Sequence, residues 1–248
     1  MMTPQQAGSA PSPQCPDGVR IYAVGDIHGR DDLLIRMHAM ILADVRAHPA
    51  ASPTVVYLGD YVDRGSGSFE VIEFLINEPL PGFTSVALMG NHEDMMLRFL
   101  AGPPTLNWLV NGGIATLASY GVGAGLPAIY LADLDVLRRE LRAAVPPSHM
   151  RFLLGLGLMH VVGDYAFVHA GVRPGVDLEV QTQADLLWIR DKFLDSRKDH
   201  GKVVIHGHTI TEDPEIRANR IGIDTGAFVT DRLTCLVLEG SERRFLQT

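Results

Sequence analysis

The 248-residue sequence predicts an α/β sandwich of two mixed β-sheets flanked by helices, arranged as a single domain with a helical insert. Three observations predict it. Short β-branched runs alternate with amphipathic segments from residue 19 to residue 100, the βαβαβα order of a mostly parallel sheet. A helical stretch then interrupts that order, and strand-like runs resume after it. The first three strand-like runs each lead into a glycine-flanked cluster of Asp, Asn and His, at the strand carboxyl ends where open α/β sheets bind ligands.

Residues 1–18 hold Pro4, Pro11, Pro13 and Pro16 among Gln, Ser and Ala, without the basic start or apolar stretch of a signal peptide. They read as a disordered leader on a cytoplasmic protein. Residues 19–24 read as a buried strand, and 31–45 as a helix with Leu33, Met37, Met40 and Ile41 on one face. A second strand over 54–58 precedes a helix over 68–77, and a third over 84–89 precedes a helix over 92–100. Leu131, Leu134, Leu137 and Leu141 stand at helical spacing, and Arg138, Arg139 and Arg142 form a solvated face, so 102–150 reads as the helical insert. Strands follow near 161–162 and 166–169, around a turn at Gly163 and Asp164, and again at 203–205, 220–223 and 233–238. That late return to β predicts a second sheet packed on the first, within a domain covering 19–248.

Composition narrows the function. With 46% hydrophobic and 20% charged residues the chain is not wholly disordered. Twenty-one basic against 29 acidic residues give a net charge of −8, a poor match for general nucleic-acid binding and a good one for cations. The longest apolar run, around 153–162, is broken by Gly and His and falls far short of a membrane span. Cys15 and Cys235 cannot form a disulfide framework and read as reduced thiols.

The chemistry-bearing motifs stand in a fixed order: Gly25-Asp26-Ile27-His28-Gly29, then Gly59-Asp60-Tyr61-Val62-Asp63-Arg64-Gly65, then Gly90-Asn91-His92-Glu93. Val168-His169-Ala170-Gly171 and His206-Gly207-His208-Thr209 follow, each after an apolar run. Two Asp, one Asn and three His mix hard oxygen with borderline nitrogen donors. Such a set suits a dinuclear manganese, iron or zinc site rather than an all-oxygen calcium or magnesium cage.

This ordered series resembles the phosphoprotein phosphatase (PPP) family of calcineurin-like dinuclear metallophosphoesterases, most closely its bacterial and bacteriophage Ser/Thr protein phosphatases. The likeness runs from Ile21 to about Leu238, with smaller echoes at Trp108 to Gly113, Trp188-Ile189-Arg190 and Ile223 to Ala227. It implies two divalent ions per chain, manganese first, with iron and zinc as the other candidates. Asp26 and His28 would hold the first ion, Asp60 would bridge, and Asn91, His169 and His208 would complete the second. A hydroxide shared by the ions would attack phosphorus directly. Arg64 and Arg190 would grip phosphate, and His92 would protonate the leaving group with Asp63 orienting its ring. The implied substrate is a phosphoserine or phosphothreonine protein, with no nucleic-acid or membrane partner.

Departures from relatives sharpen this. Ile210 stands where broader calcineurin-like enzymes often carry a second ligating histidine, and the Ser-Ala-Pro-Asn-Tyr-Cys segment of the eukaryotic branch is absent. The family's symmetrical dinucleoside-tetraphosphate hydrolases tend to lack an Asp at the Asp63 position and to carry Asp where this chain has Glu93, so both residues lean toward phosphoprotein. Hydrolysis of such dinucleotides, or of another nucleotide, is the second reading, and a non-catalytic metal-binding scaffold the third. His206 reads as packing rather than as a ligand, Arg173 as an exposed loop arginine, and His38, His48, His149, His160 and His200 are assigned no role.

Overall fold

The computed structural model describes residues 12–49, 52–123 and 133–248. Strand β1 (Val19–Val24) leads to helix α1 (Asp31–Ala47), β2 (Ser52–Tyr57) to α2 (Ser68–Asn77), and β3 (Thr84–Ala87) to α3 (Asn91–Ala101). Strand β4 (Met159–Val162) forms a hairpin with β5 (Tyr165–Val168). After them come β6 (Val203–His206), β7 (Glu215–Ile216), β8 (Arg220–Gly222), β9 (Thr234–Glu239) and β10 (Glu242–Gln247).

One sheet has the order β10-β9-β1-β2-β3 and the other β4-β5-β6-β8-β7. In the first, β1, β2 and β3 run parallel while β9 and β10 run antiparallel. In the second, β5, β6 and β8 are parallel, with β4 and β7 antiparallel at the edges. Both sheets are mixed, as predicted. The expectation of a second sheet at the chain's end needs one correction: β9 returns to the first sheet, pairing Arg20 with Glu239 through Val24 with Cys235.

Side-chain alternation builds the layers. Along β1, Ile21 and Ala23 face the second sheet, meeting Tyr165, Phe167, Val203, Ile205 and Ile221. Tyr22 and Val24 face the other way, toward Leu34, Met37 and Ile41 of α1 and Val71 and Ile72 of α2. On the far side of the second sheet, Val168 and Val204 pack with Leu186, Ile189 and Phe193. The order is therefore helices, sheet, core, sheet, helices. Strand β6, buried on both faces, opens with the apolar run Val203-Val204-Ile205 for this reason.

Within 102–150 a helix at Leu106–Trp108 runs through a kink at Gly112, φ 117°, into Ile114–Ser119, and further helices span Leu134–Ala144 and Pro147–Leu154. Leu131 lies outside the described residues. The leader differs from expectation where it is described. Cys15 is buried and its N–H donates to Gly240 O at 2.9 Å, while Pro13 O accepts from Tyr165 Oη at 3.1 Å. An apolar cysteine among Val19, Tyr165 and Val203 finds a place in the core between the sheets, which draws this end of the leader onto the domain.

Candidate active site

The five motifs converge at the carboxyl ends of β1, β2, β3, β5 and β6. Their loops interlock through backbone. Ile27 and His28 N–H both donate to Asp60 O, at 3.1 and 2.8 Å, and Gly65 N–H donates to His28 O at 3.0 Å. A Cβ on Gly65 would lie 2.2 Å from that same His28 oxygen, so glycine is required for the loops to touch. Glu93, wholly buried, accepts from Asp60 N and Gly90 N at 2.9 Å, Tyr61 N at 2.8 Å and Val62 N at 3.2 Å. Burial and the nearby Asp60 push its pKa up to about 8, against the backbone donors that pull it down. Glu93 is thus a clamp on the Asp60 loop.

Among the described residues six non-glycine residues have left-handed φ, and five belong to the motifs: His28, Asp60, Asp63, Arg64 and His208. Such backbone costs on the order of 1–3 kcal/mol per residue and persists where surroundings enforce it, typically at functional sites.

The side chains meet around Asp60. His28 Nε2 lies 3.4 Å from Asp60 Oδ2, and His169 Nε2 lies 3.5 Å from Asp60 Oδ1. His169 Nε2 is also 2.8 Å from Asn91 Oδ1 and 3.2 Å from His208 Nδ1. Both histidines have their other ring nitrogen on a carbonyl: His28 Nδ1 donates to Val62 O at 2.9 Å and His169 Nδ1 to Leu58 O at 3.0 Å. Each Nε2 is therefore a lone pair aimed at the carboxylate, the tautomer that holds a metal. Burial lowers the pKa of all three histidines, His28 to about 3 and His208 to about 2, and keeps them neutral. Acceptors thus face acceptors with no proton between them. Asp26 adds a buried Oδ1 without a partner among the described residues, while its Oδ2 accepts from His208 N at 2.9 Å. This is the donor chemistry of a cation site, and the residues present fit it.

Among the described residues two groups have ligand atoms within 4.8 Å of one another: His28, Asp60 and His92, and Asp60, His169 and His208. Asp60 belongs to both, as a bridging residue must. His92 takes the place in the first group that the sequence reserved for Asp26. Its ring has a second engagement, however: Nδ1 donates to Asp63 Oδ2 at 2.7 Å. Burial lowers its pKa, but Asp60 and Asp63 together carry it above the ordinary histidine value. Arg64 Nη2 lies 3.3 Å from His92 Nε2, and its guanidinium sits 4.6 Å over the Phe228 ring. Arg190 stands exposed on the other side, its Nη1 3.4 Å from Thr209 Oγ1.

His206 turns away. It lies on the same face of β6 as Val204, its ring 5.0 Å from Phe193 and its Nε2 3.4 Å from Arg220. The strand ends there and His208 adopts left-handed backbone, so the two-residue spacing does not put both rings on one face. Arg173 braces its loop through Asp185 at 2.6 and 2.9 Å. His38 and His149 are packing groups bonded to Tyr57 and Tyr120, each at 2.7 Å.

Sequence reasoning missed Asp224, Phe228, Trp108 and Thr116 as parts of the site. Asp224 is buried near Asp26, and burial pushes its pKa up to about 6. Asp224 and Trp108 fell within the quoted echoes, but only as motif; nothing in the spacing of Thr116 announces its contact with Asp63.

Residues 19–235 match the calcineurin-like phosphoesterase family. The chain belongs to that family, and it is a metallophosphoesterase. It is 28% identical over 226 residues to serine/threonine-protein phosphatase 2 of Salmonella typhimurium, covering 86% of this chain and 90% of that protein. It is 27% identical over 233 residues to the asymmetrical bis(5′-nucleosyl)-tetraphosphatase PrpE of Bacillus subtilis, covering 85% and 87%. Among solved structures, a cold-active protein tyrosine phosphatase shares the fold with a TM-score of 0.57 at 16% identity, covering 94% of this chain and 81% of that one. No helix among the described residues is long and apolar enough to cross a membrane.

Proposed function

We propose that the chain hydrolyses phosphoserine and phosphothreonine in proteins, using two divalent ions. The observation that carries this reading is the His92–Asp63 pair at 2.7 Å, set beside Arg64 at the edge of the acceptor cluster. Asp26, His28 and Asp60 would hold one ion, and Asp60, Asn91, His169 and His208 the other. Manganese suits this donor mix, as do iron and zinc. When bound, such ions supply Lewis acidity, which eases loss of a water proton and neutralises phosphate charge.

The chain's own residues do the rest. Arg64 and Arg190 approach from opposite sides and grip phosphate oxygens through charge-assisted bonds. His92, its Nδ1–H on Asp63, presents Nε2 where Arg64 also points, and gives its proton to the departing serine oxygen as the P–O bond breaks. An alkoxide needs that proton and a nitrophenolate does not. His92→Asn should therefore leave bound metal unchanged and slow a phosphoserine peptide by about 10²–10⁴-fold, with less effect on p-nitrophenyl phosphate. Equal slowing of both would count against proton donation.

The second reading, hydrolysis of dinucleoside tetraphosphates at the same site, is favoured by the relative in Bacillus subtilis. The deciding experiment offers metal-stripped protein, with manganese restored, a phosphoserine peptide and diadenosine tetraphosphate in parallel. Phosphate release from the peptide alone is expected. Preference for the dinucleotide would overturn the substrate but not the cation site, and nucleoside diphosphate as sole product would mark symmetrical cleavage. A protein that binds both ions yet leaves both compounds intact would revive the scaffold reading.

A further inference from the structure

Resting on His92 as proton donor, we infer that Trp108 and Thr116 of the helical insert are positioning residues, which hold the Asp63 carboxylate and through it the His92 ring. Asp63 is wholly buried, and both of its oxygens accept from the insert. Trp108 Nε1–H lies 2.9 Å from Oδ2 and 3.1 Å from Oδ1, and Thr116 Oγ1–H lies 2.6 Å from Oδ1. The Asp63 backbone N–H is held as well, by Ser68 Oγ at 3.0 Å and Thr116 Oγ1 at 2.9 Å. A carboxylate with one partner can rotate; with donors on both oxygens it cannot, and the His92 ring it steers is fixed in turn. Donors to a charged acceptor in a dry site are the stronger class of hydrogen bond.

The turn between the two donors is shaped for this task. Gly112, at φ 117°, places its carbonyl 3.2 Å from Arg64 N–H, and a Cβ there would lie 2.8 Å from Arg64 Cγ. A Cβ on Gly113 would lie 2.6 Å from the Trp108 indole. The paired glycines let the turn close against Arg64 on one side and the indole on the other, at a kink between two short helices. One loop of the insert thereby braces both the proton donor and the backbone of a phosphate-gripping arginine. The indole also packs on Phe99 at 4.9 Å, a contact that phenylalanine would keep while losing the N–H.

The test compares Trp108→Phe and Thr116→Val with the parent protein loaded with manganese. For a phosphoserine peptide, kcat should fall about tenfold in each, the worth of one hydrogen bond to a charged group. KM and bound manganese should hold, turnover of p-nitrophenyl phosphate should fall much less than that of the peptide, and Thr116→Ser should restore the peptide rate. Equal slowing on both substrates, or none on either, would overturn the inference. His92→Asn in the same assays separates the two claims. If it too slows both substrates alike, the proton-donor reading has failed; if it is selective while Trp108→Phe is not, only the positioning role has failed. Should Trp108→Phe not fold, Thr116→Val carries the same comparison.

Discussion

The site has two banks that are built differently. The loops after β1, β2 and β3 are tied to one another by backbone bonds from Ile27, His28 and Gly65, clamped by Glu93, and held in left-handed conformations at His28, Asp60, Asp63 and Arg64. The loops after β5 and β6 are joined to each other by Gly207 N–H on His169 O at 2.8 Å, and they supply two histidines. The arm beyond them is looser: Trp188 is 42% exposed and Arg190 reaches a threonine hydroxyl at 3.4 Å. The first bank is a preformed frame in which charges keep fixed distances. The second sets an exposed arginine, held by one long hydrogen bond, beside that frame.

Breaking the residue common to the two ligand groups should cost most. Asp60→Asn is expected to lose the paired ions and at least about 10³-fold in kcat, read by elemental analysis and phosphate release. Parental turnover would end the bridging assignment. Breaking the frame alone comes next: Gly65→Ala should destabilise the fold by about 1–3 kcal/mol in urea unfolding, because its Cβ must displace the His28 carbonyl. An unchanged midpoint would mean that the loops are not rigid. Arg190→Ala should have the smallest effect, roughly tenfold in kcat/KM and mainly through KM. Arg64→Ala in the same assay should exceed it, and the reverse order would invert the comparison.

The same division governs what could be read from residues alone. The first bank was legible because each loop carries its chemistry within a few residues of a strand end, and the β1 and α2 boundaries follow directly from apolar pattern. His169 and His208 were legible by the same logic. What escaped were relations across long separations. Trp108 and Thr116 serve Asp63 from 45 and 53 residues away, and neither residue type announces such a bond. Asp26 carried a ligand's signature, and the closest cluster around His28 adds His92 to it, a neighbour that no sequence spacing shows. The assignment of β9 to the first sheet was hidden too, since an apolar strand fits either sheet until its partner is known.

That last pairing bears on how the protein is made. Strand β1 sits inside its sheet only because β9 flanks it, and Arg20 meets Glu239 across a separation of 219 residues. As the chain leaves the ribosome, β1 and β2 can pair early, but the other edge of β1 stays open until β9, 219 residues further on at Glu239, has been synthesised. An unpaired apolar edge invites pairing with a neighbouring chain, and contacts of such long range close slowly. The sheet that carries the interlocked loops is thus closed only by a contact of very long range, which lengthens the interval in which its edge is exposed.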